Sequence, residues 1–204
     1  MNNKNSNIVG ALILASGNSE RMGYHKPFLQ FDDNTLFIEK IINSYLEFGC
    51  SKIGITINEK VNDWKAIIQK YKKNENIIFI SNLNPEFERF YSIKIGLLEM
   101  SNVNFCFLHN TDNPLIPKTI MSSIYSRRKR NAYVVPNYLN KGGHPILLGD
   151  DIINYILSID NLNINLKDAL SVCQRIDCNV NDASVLININ TPEDYKNYFG
   201  KLYD

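Results

Sequence analysis

The amino-acid sequence predicts an α/β protein, a three-layer sandwich in which helices cover both faces of a mostly parallel sheet. Apolar runs of strand length alternate with segments whose apolar residues recur at helical spacing, and such repeated units build parallel sheets with right-handed crossovers. The first run, IVGALIL (8–14), is apolar throughout, as in a strand buried on both faces. Because 204 residues, 44% of them hydrophobic and 21% charged, suffice for one core, we expect a single domain over 1–204.

The strands are predicted from short apolar runs that end at polar or turn-forming residues. The run 8–14 stops at Ser16-Gly17, and KIGITI (52–57) is the next run of β-type residues. In chain order the predicted strands are 8–14, 52–57, 76–80, 103–109, 132–136, 145–148 and 184–189. The fourth places Cys106 inside a buried strand.

The helices are predicted from apolar residues three and four positions apart. The first begins at Thr35, carries Phe37 and Ile41 on one side and ends before Gly49, a common helix stop. In chain order the predicted helices are 35–48, 63–71, 91–100, 117–128, 151–159 and 191–199. The last starts at Thr191-Pro192-Glu193, which places a capping hydroxyl, a proline and an acid in the first turn.

Charge and apolar content exclude several classes of protein. The 22 Lys+Arg residues balance 21 Asp+Glu residues, which argues against a nucleic-acid binder that relies on gross positive charge. No apolar run approaches the roughly 20 residues that span a bilayer, and the start MNNKNSN lacks the apolar stretch of a signal peptide. We therefore expect a cytoplasmic protein with no membrane partner, in which Cys50, Cys106, Cys173 and Cys178 are reduced thiols.

The loop after the first strand is the most informative segment. It reads LASGNSERMGYHKPF (14–28), and a turn rich in glycine, hydroxyl and basic residues after a strand is suited to binding phosphate. The spacing matches neither the P-loop, because Pro27 follows Lys26 where a hydroxyl is needed, nor the G-x-G-x-x-G pattern. The sequence therefore disfavours kinases and Rossmann dehydrogenases.

Polar motifs follow later predicted strands as well. LHNTDNPLI (108–116) places Asp112 after the fourth strand, where a carboxylate can hold Mg²⁺ together with substrate phosphates, or can simply form a turn or helix cap. GGHPILL (142–148) contains a Gly-His-Pro turn, and NINTPEDY (188–195) places Asn190 before the last helix. NPEFERFYSIKIG (84–96) follows the third strand and contains Ser92 and Gly96.

Together these segments resemble the MobA-like nucleotidyltransferases, and in particular their molybdenum cofactor cytidylyltransferase branch. The first loop contains every fixed position of L-A-x-G-x-S-x-R-M-G-x-x-K, and the later segments are similar to G-D-x-P-L, G-H-P-[VI]-L-L and D-[IV]-[DN]-T-P-E-D. Three positions depart from the family: Thr111 replaces a glycine, Asn190 stands where many relatives have Asp, and the glycine expected near Glu88 is missing. The resemblance implies the Rossmann-like nucleotidyltransferase fold (the nucleotide-diphospho-sugar transferase fold). It also implies a nucleotide-binding half at about 8–115 and an acceptor-binding half at about 116–199.

The resemblance also implies roles for individual residues. Arg21, Lys26 and Asp112 would be catalytic, with Asp112 and Asn190 holding Mg²⁺ and with backbone amides of residues 17–19 binding the triphosphate. The implied nucleotide-binding residues are Leu14, Ala15, Ser16, Gly17, Ser19, Arg21, Lys26 and Ser92. The implied acceptor-binding residues are Gly143, His144 and Pro145. His25 and His109 receive no role.

The implied reaction is transfer of CMP from CTP to the phosphate of a molybdopterin-type cofactor, with release of pyrophosphate. Related guanylyltransferases have glycine where this chain has Ser16, and the larger side chain leaves less room beside the base, which favours a pyrimidine. Three alternatives stay open: a different nucleotide, a sugar or alditol phosphate as acceptor, or a non-catalytic protein that delivers cofactor to a molybdoenzyme.

Overall fold

The computed structural model describes residues 7–17, 19–84 and 87–200, without the side chain of Glu88. The strands are β1 (Val9–Leu14), β2 (Gln30–Asp32), β3 (Thr35–Leu36), β4 (Lys52–Ile57), β5 (Ile77–Ser81), β6 (Phe105–Asn110), β7 (Ala132–Tyr138), β8 (Lys141–Gly142), β9 (Ile146–Gly149) and β10 (Gln174–Asn179). The helices are α1 (Phe37–Phe48), α2 (Trp64–Tyr71), α3 (Glu88–Glu99), α4 (Lys118–Ser126), α5 (Asp150–Ser158), α6 (Leu166–Ala169) and α7 (Pro192–Phe199).

One mostly parallel sheet forms the middle layer, in the order β10-β7-β9-β6-β1-β4-β5, with β8 paired to β7. Strand β1 lies between β4 and β6 and is parallel to both, with Ala11 beside Ile53 and Phe107. Strand β9 is antiparallel to its neighbours β6 and β7. A strand that is flanked on both edges and covered on both faces must be apolar throughout, which explains the unbroken run in β1.

Helices cover both faces of the sheet. On one face α1, α2 and α4 bury Ile41, Ile67 and Ile124 against the strands, and on the other face α3 and α5 bury Ile93 and Ile153. The predicted three-layer α/β sandwich with a mostly parallel sheet is therefore confirmed. Cys106 in β6 is fully buried and the four cysteines are free thiols, both as predicted.

A small third core lies outside the sandwich and joins two distant segments. Met22 and Leu29 from the first loop pack with Phe37, Ile189 and Tyr195, and the Tyr195 hydroxyl donates to the backbone carbonyl of Gln30 at 2.8 Å. This cluster holds the start of α7 against the loop that follows β1. Within the described residues, no helix is long and apolar enough to cross a membrane.

The predicted strand at 184–189 is wrong. Residues 183–186 form a single 3-10 turn, capped by the Asp182 side chain, which accepts from the Ser184 amide at 2.8 Å. The backbone groups that a strand would offer to a neighbouring strand are instead bonded to other loops, and the apolar Val185 and Ile189 are buried in two different clusters. Apolar content alone did not distinguish this segment from a strand.

Several short elements were not predicted. Strands β2 and β3 pair as a hairpin, so Thr35 and Leu36 belong to that hairpin and α1 begins only at Phe37. Strand β10 is mainly exposed and polar, and it pairs with β7 at the edge of the sheet, so it lacks the apolar pattern of a buried strand. The short helix α6 is likewise too brief to produce a periodic signal.

Candidate active site

A cavity of about 590 Å³ opens at the carboxyl ends of β1, β5 and β6. Loops converge at this edge of a parallel sheet, and ligands bind there in open α/β folds. The cavity is lined by Leu14, Ser16, Gly17, Ser19, Glu20, Arg21, Lys26, Asn82, Arg89, Ser92, Asn110, Thr111 and Asp112. It therefore brings together residues from the first loop, from the start of α3 and from the segment after β6.

The first loop is shaped by two short 3-10 turns, at 20–22 and 26–28. Ser19 and Gly23 flank the first turn with positive φ angles of 54° and 71°, and the Ser19 hydroxyl accepts from the Lys26 amide at 3.2 Å. Between them the buried Met22 side chain anchors the turn in the third core. Arg21 and Lys26 consequently share one side of the loop, and both line the cavity.

Asn190 links the two cations of this loop. Its side-chain oxygen accepts from Lys26 Nζ at 2.7 Å and from Arg21 Nη2 at 3.4 Å. The backbone amides of Asn190 and Thr191 donate to the Asp194 carboxylate at 2.9 Å each, within the capping box of α7. The start of α7 therefore positions Asn190, and Asn190 in turn orients Lys26 and Arg21.

Among the described residues, Asp112 is one of two carboxylates that line the cavity, the other being Glu20 of the first loop. The Asp112 backbone carbonyl accepts from the Ile189 amide at 2.7 Å, which holds the loop after β6 next to Asn190. Its Oδ1 atom is buried and has no hydrogen-bond partner among the described residues. Burial lowers the pKa of Lys26, the carboxylate of Asp112 opposes this shift, and the charge of Arg21 adds to it.

The Asp112 carboxylate can accommodate a divalent cation. An unpaired buried carboxylate oxygen is costly unless a charged partner completes it. Across the described ranges, no three His, Cys, Asp or Glu side chains cluster as a metal-binding group. Mg²⁺ needs no such cluster, since it binds one or two carboxylates together with substrate phosphates and water. Asp112 fits that pattern. The Asn190 amide oxygen, predicted as a second ligand, accepts from Lys26 and Arg21 in this structure, so a metal ion would have to replace those contacts.

A chain of buried polar side chains forms another wall of the cavity. The hydroxyl oxygens of Ser16 and Ser92 are 2.9 Å apart, and Asn82 Nδ2 donates to the Ser92 hydroxyl at 2.9 Å. Asn82 is fixed in turn, because its Oδ1 accepts from the Asn84 amide at 2.9 Å. All three side chains are buried, so this wall is rigid and presents hydroxyl groups to a bound ligand.

The Gly-His-Pro turn lies beside the cavity and does not line it. The His144 amide donates to the Val185 carbonyl at 2.8 Å, and the His144–Pro145 peptide bond is cis. A Cβ atom on Gly143 would lie 2.3 Å from the Val185 carbonyl oxygen, so this position requires glycine. Burial and the charge of Arg89 lower the pKa of His144, whereas Asp112 raises it. The turn therefore lies within electrostatic range of the cavity.

His109 is a structural residue in the core. Its Nε2 atom lies 2.8 Å from the Asn113 carbonyl oxygen, which can only accept, so Nε2 carries the proton and Nδ1 accepts from the Tyr45 hydroxyl at 2.8 Å. Burial lowers the pKa of His109 to about 3, so the imidazole is neutral. Asn113 Nδ2 continues the chain by donating to the Ser184 carbonyl at 3.1 Å.

The structure brings most of the candidate residues from the sequence into one place. Leu14, Ser16, Gly17, Ser19, Arg21, Lys26, Ser92 and Asp112 all line the cavity. Ala15 does not, because its amide donates to Thr56 and its side chain is buried in the core. Asn18, in the expected amide cradle at 17–19, lies outside the described residues.

Five residues that line the cavity were not predicted as site residues: Glu20, Asn82, Arg89, Asn110 and Thr111. Asn110 ends β6 and Asn82 directly follows β5, so the rule that ligands bind at the carboxyl ends of parallel strands could have identified both. Arg89 lies in the first turn of α3, one residue after the position where the family's glycine is missing.

Comparison with known proteins agrees with this geometry. The model of the MobA-like NTP transferase domain family matches residues 11–174, most of the chain. The chain belongs to this family. It is 27% identical over 187 residues to a molybdenum cofactor cytidylyltransferase of Escherichia coli (strain K12), a match that covers 92% of this chain and 93% of the relative.

Two further similarities agree with membership of the family. A 2-C-methyl-D-erythritol 4-phosphate cytidylyltransferase of Thermosipho melanesiensis is 27% identical over 114 residues, 54% of this chain and 50% of that protein. A solved nucleotidyl transferase from Methanothermobacter superposes with a TM-score of 0.76 at 16% identity, covering 94% of this chain and 96% of that one. The superposition supports the fold, and the family match makes this protein a nucleotidyltransferase.

Proposed function

We propose that this protein transfers CMP from CTP to the phosphate of a molybdopterin-type cofactor and releases pyrophosphate. One observation carries the proposal: Arg21, Lys26 and Asp112 line one cavity at the carboxyl ends of the strands. Such a transfer requires alignment and charge neutralisation more than a protein base, because the attacking phosphate is already an anion.

The first loop would bind the triphosphate. Lys26 and Arg21 are held side by side by Asn190, so their charges are oriented before a nucleotide arrives. Preorganised donors of this kind stabilise the charge that develops on the phosphate oxygens without further rearrangement. Ser19 and Gly17 line the same wall and offer backbone amides to these oxygens.

A divalent ion would be held by Asp112; Asn190 would add an oxygen ligand only in place of its contacts with Lys26 and Arg21. Nucleotidyltransferases of this family generally use a divalent metal, and we propose Mg²⁺ here. When bound, the ion would neutralise charge on the phosphates of the donor and the acceptor. The residues of the chain then have separate tasks: Lys26 and Arg21 bind oxygens of the nucleotide, and Asp112 supplies the anionic ligand.

The base and the acceptor are proposed from residues and relatives together. Related guanylyltransferases have glycine at the position of Ser16. The Ser16 side chain, hydrogen-bonded to Ser92, would reduce the space for the base, which favours cytosine over a purine. Both curated relatives are named cytidylyltransferases, and the one that covers most of this chain acts on molybdenum cofactor according to its name. Gly143, His144 and Pro145 would face that acceptor, and a molybdoenzyme would receive the product.

The proposal is tested by incubating the protein with each nucleoside triphosphate, Mg²⁺ and molybdopterin while pyrophosphate release is measured. We expect turnover with CTP, dependent on both Mg²⁺ and acceptor. Release with GTP or UTP and none with CTP would contradict the choice of nucleotide. Mn²⁺ in place of Mg²⁺ and a chelator control complete the experiment, because a divalent ion bound by oxygen ligands is removed by chelation.

A second acceptor is favoured by one specific similarity. The Thermosipho melanesiensis relative is named for a sugar-alcohol phosphate, and it is similar to about half of this chain. The same assay with 2-C-methyl-D-erythritol 4-phosphate separates the two acceptors. Pyrophosphate release with this acceptor and CTP, and none with molybdopterin, would replace the first choice.

A further inference from the structure

Arg89 is a cation of the cavity to which no role was assigned. It lies in the first turn of α3 and lines the cavity together with Ser92 and Asn82. Part of its side chain is exposed at the cavity mouth. Nearby protein atoms desolvate the guanidinium and lower its pKa, an effect that Asp112 opposes. Among the described residues, Arg89 forms no hydrogen bond or ion pair.

The charges around Asp112 fall into two groups. Lys26 interacts with Asp112, Arg21 and Asp194, all of them in or beside the first loop and α7. Arg89 interacts with Asp112, and His144 interacts with both Arg89 and Asp112. Asp112 thus interacts with Lys26 of the first loop and with Arg89 of α3, and all three side chains line the cavity.

In the proposed reaction the phosphate of the acceptor attacks the α-phosphate of the nucleotide. The protein must therefore bind two anionic phosphate groups next to each other. Lys26 and Arg21 are joined through Asn190 and occupy the loop side, where the triphosphate is proposed to bind. Arg89 comes from a different element and has no anionic partner of its own in the described chain. A guanidinium binds phosphate through two parallel hydrogen bonds, so it suits a terminal phosphomonoester.

We propose that Arg89 binds the phosphate of the acceptor and, with the neighbouring His144 turn, holds it in line with the α-phosphorus of the nucleotide. An acceptor phosphate oxygen then forms a bond to the α-phosphorus. The bond from that phosphorus to the oxygen bridging to the β-phosphate breaks, and pyrophosphate leaves with the electron pair. The inference rests on the proposed nucleotidyl transfer and assigns Arg89 as a specificity residue for a phosphate-bearing acceptor.

The test separates the kinetic constants for the two substrates. In the Arg89→Gln variant, KM for the acceptor (molybdopterin, or 2-C-methyl-D-erythritol 4-phosphate if that is the one used) should rise about ten-fold or more, as for a lost charged hydrogen bond. KM for CTP should change by less than about two-fold, and Arg89→Lys should restore part of the loss because the charge is kept. Arg130→Gln is the matched control, since Arg130 forms an exposed ion pair with Asp150 away from the cavity.

Two results would overturn the inference without touching the proposed function: an equal or larger rise in KM for CTP, or unchanged constants for both substrates. Inorganic phosphate provides a measurement that needs no turnover. With saturating CTP present, calorimetry should show phosphate binding to the wild-type protein about ten-fold tighter than to Arg89→Gln. Equal binding overturns the role of Arg89. Absence of turnover with every acceptor, while this difference persists, contradicts the proposed reaction and leaves the phosphate site standing.

Discussion

The first loop, which lines the cavity, and the Gly-His-Pro turn, which lies beside it, are built by different means. On the side proposed for the nucleotide, one loop (14–28) carries Arg21 and Lys26, and its local turns orient them. On the side proposed for the acceptor, the Gly-His-Pro turn and the segment 184–190 lie far apart in sequence. Long-range bonds hold them, among them those from His144 to Val185 and from Ile189 to Asp112. The difference teaches that a site concentrated in one segment can be read from sequence, whereas a site assembled from distant segments depends on the packing between them.

The largest expected effect is that of Asp112→Ala. Because Asp112 is the proposed anionic ligand for the divalent ion, we expect kcat to fall by about 10³-fold, the upper range for loss of one charge-stabilising group. The protein should remain folded, because Asp112 Oδ1, one of the two oxygens that alanine lacks, has no partner within the described chain. Pyrophosphate release and thermal unfolding are the two measurements.

Asp160→Ala serves as the control for this experiment, since Asp160 is exposed and remote from the cavity. Retained turnover in Asp112→Ala would remove Asp112 from the reaction. Lost turnover with a matching collapse of thermal stability would mean that Asp112 acts on the fold.

Gly143→Ala should selectively disturb the Gly-His-Pro turn, where the acceptor is proposed to bind. The added Cβ would lie 2.3 Å from the backbone oxygen of Val185, which cannot move without shifting the segment 184–190. We expect a loss of about 2 kcal/mol in the free energy of unfolding and a larger rise in KM for acceptor than for CTP. Denaturant unfolding and steady-state kinetics measure the two effects.

Gly142→Ala is a matched control at the neighbouring position. There the added Cβ would meet the flexible end of Arg175 at 3.0 Å, which can move aside, so we expect a loss of less than about 1 kcal/mol. Equal destabilisation by both substitutions would show that the contact with Val185 is not what holds the turn.

Buried hydrogen bonds through Tyr45, His109, Asn113 and the Ser184 carbonyl connect helix α1 to the segment 184–190, and this chain should respond to pH. The folded state keeps His109 neutral with a pKa of about 3, whereas the unfolded state takes up a proton near pH 6.5. The stability that this histidine contributes is complete above pH 6.5 and is lost as pH falls toward 3. From this group we expect a loss of about 2 kcal/mol between pH 7 and pH 5.

Denaturant unfolding of the wild type and of His109→Gln across this pH range isolates that contribution, because the carboxylates titrate equally in both proteins. The wild type should lose stability more steeply on acidification. Parallel pH profiles would mean that His109 is protonated in the folded protein.

The smallest expected effect concerns the choice of base. Ser16→Gly removes the side chain that would reduce the space for the base beside Ser92. The ratio of kcat/KM for GTP to kcat/KM for CTP should therefore rise about ten-fold. Ser16→Ala separates size from hydrogen bonding, since it keeps the Cβ atom and loses the hydroxyl. If the ratio rises as much in Ser16→Ala as in Ser16→Gly, the hydroxyl determines the selectivity for the base. If it rises in neither variant, Ser16 does not determine this selectivity.

Most of the central sheet could be predicted, and the peripheral pieces could not. Strand β4 and helices α1, α2, α4, α5 and α7 lie within a few residues of their predicted positions because each buries a periodic apolar face. The edge strand β10 buries little and gave no signal. The apolar residues of the segment 184–189 led to a wrong strand prediction, because they pack a loop between two hydrophobic clusters.

For the candidate site the division is similar. The residues of the 14–28 loop and Asp112 could be chosen from motifs, and their roles stay predictions until substrates are tested. Arg89 belongs to the cavity only because α3 begins beside the ends of β1 and β6, and no spacing in the sequence encodes that proximity.

The sequence by itself determined the sandwich and identified the first loop as a candidate phosphate-binding segment and Asp112 as a carboxylate after β6, because these depend on hydrophobic period and on contiguous residues. Only the tertiary structure decided that Asn190 holds Lys26 and Arg21, that Ile189 fastens the loop of Asp112, and that Arg89 lines the same cavity as that carboxylate. These contacts join residues far apart along the chain. They exist because the small third core and the segment 184–190 fold back onto the edge of the sheet. This packing cannot be predicted from local sequence patterns.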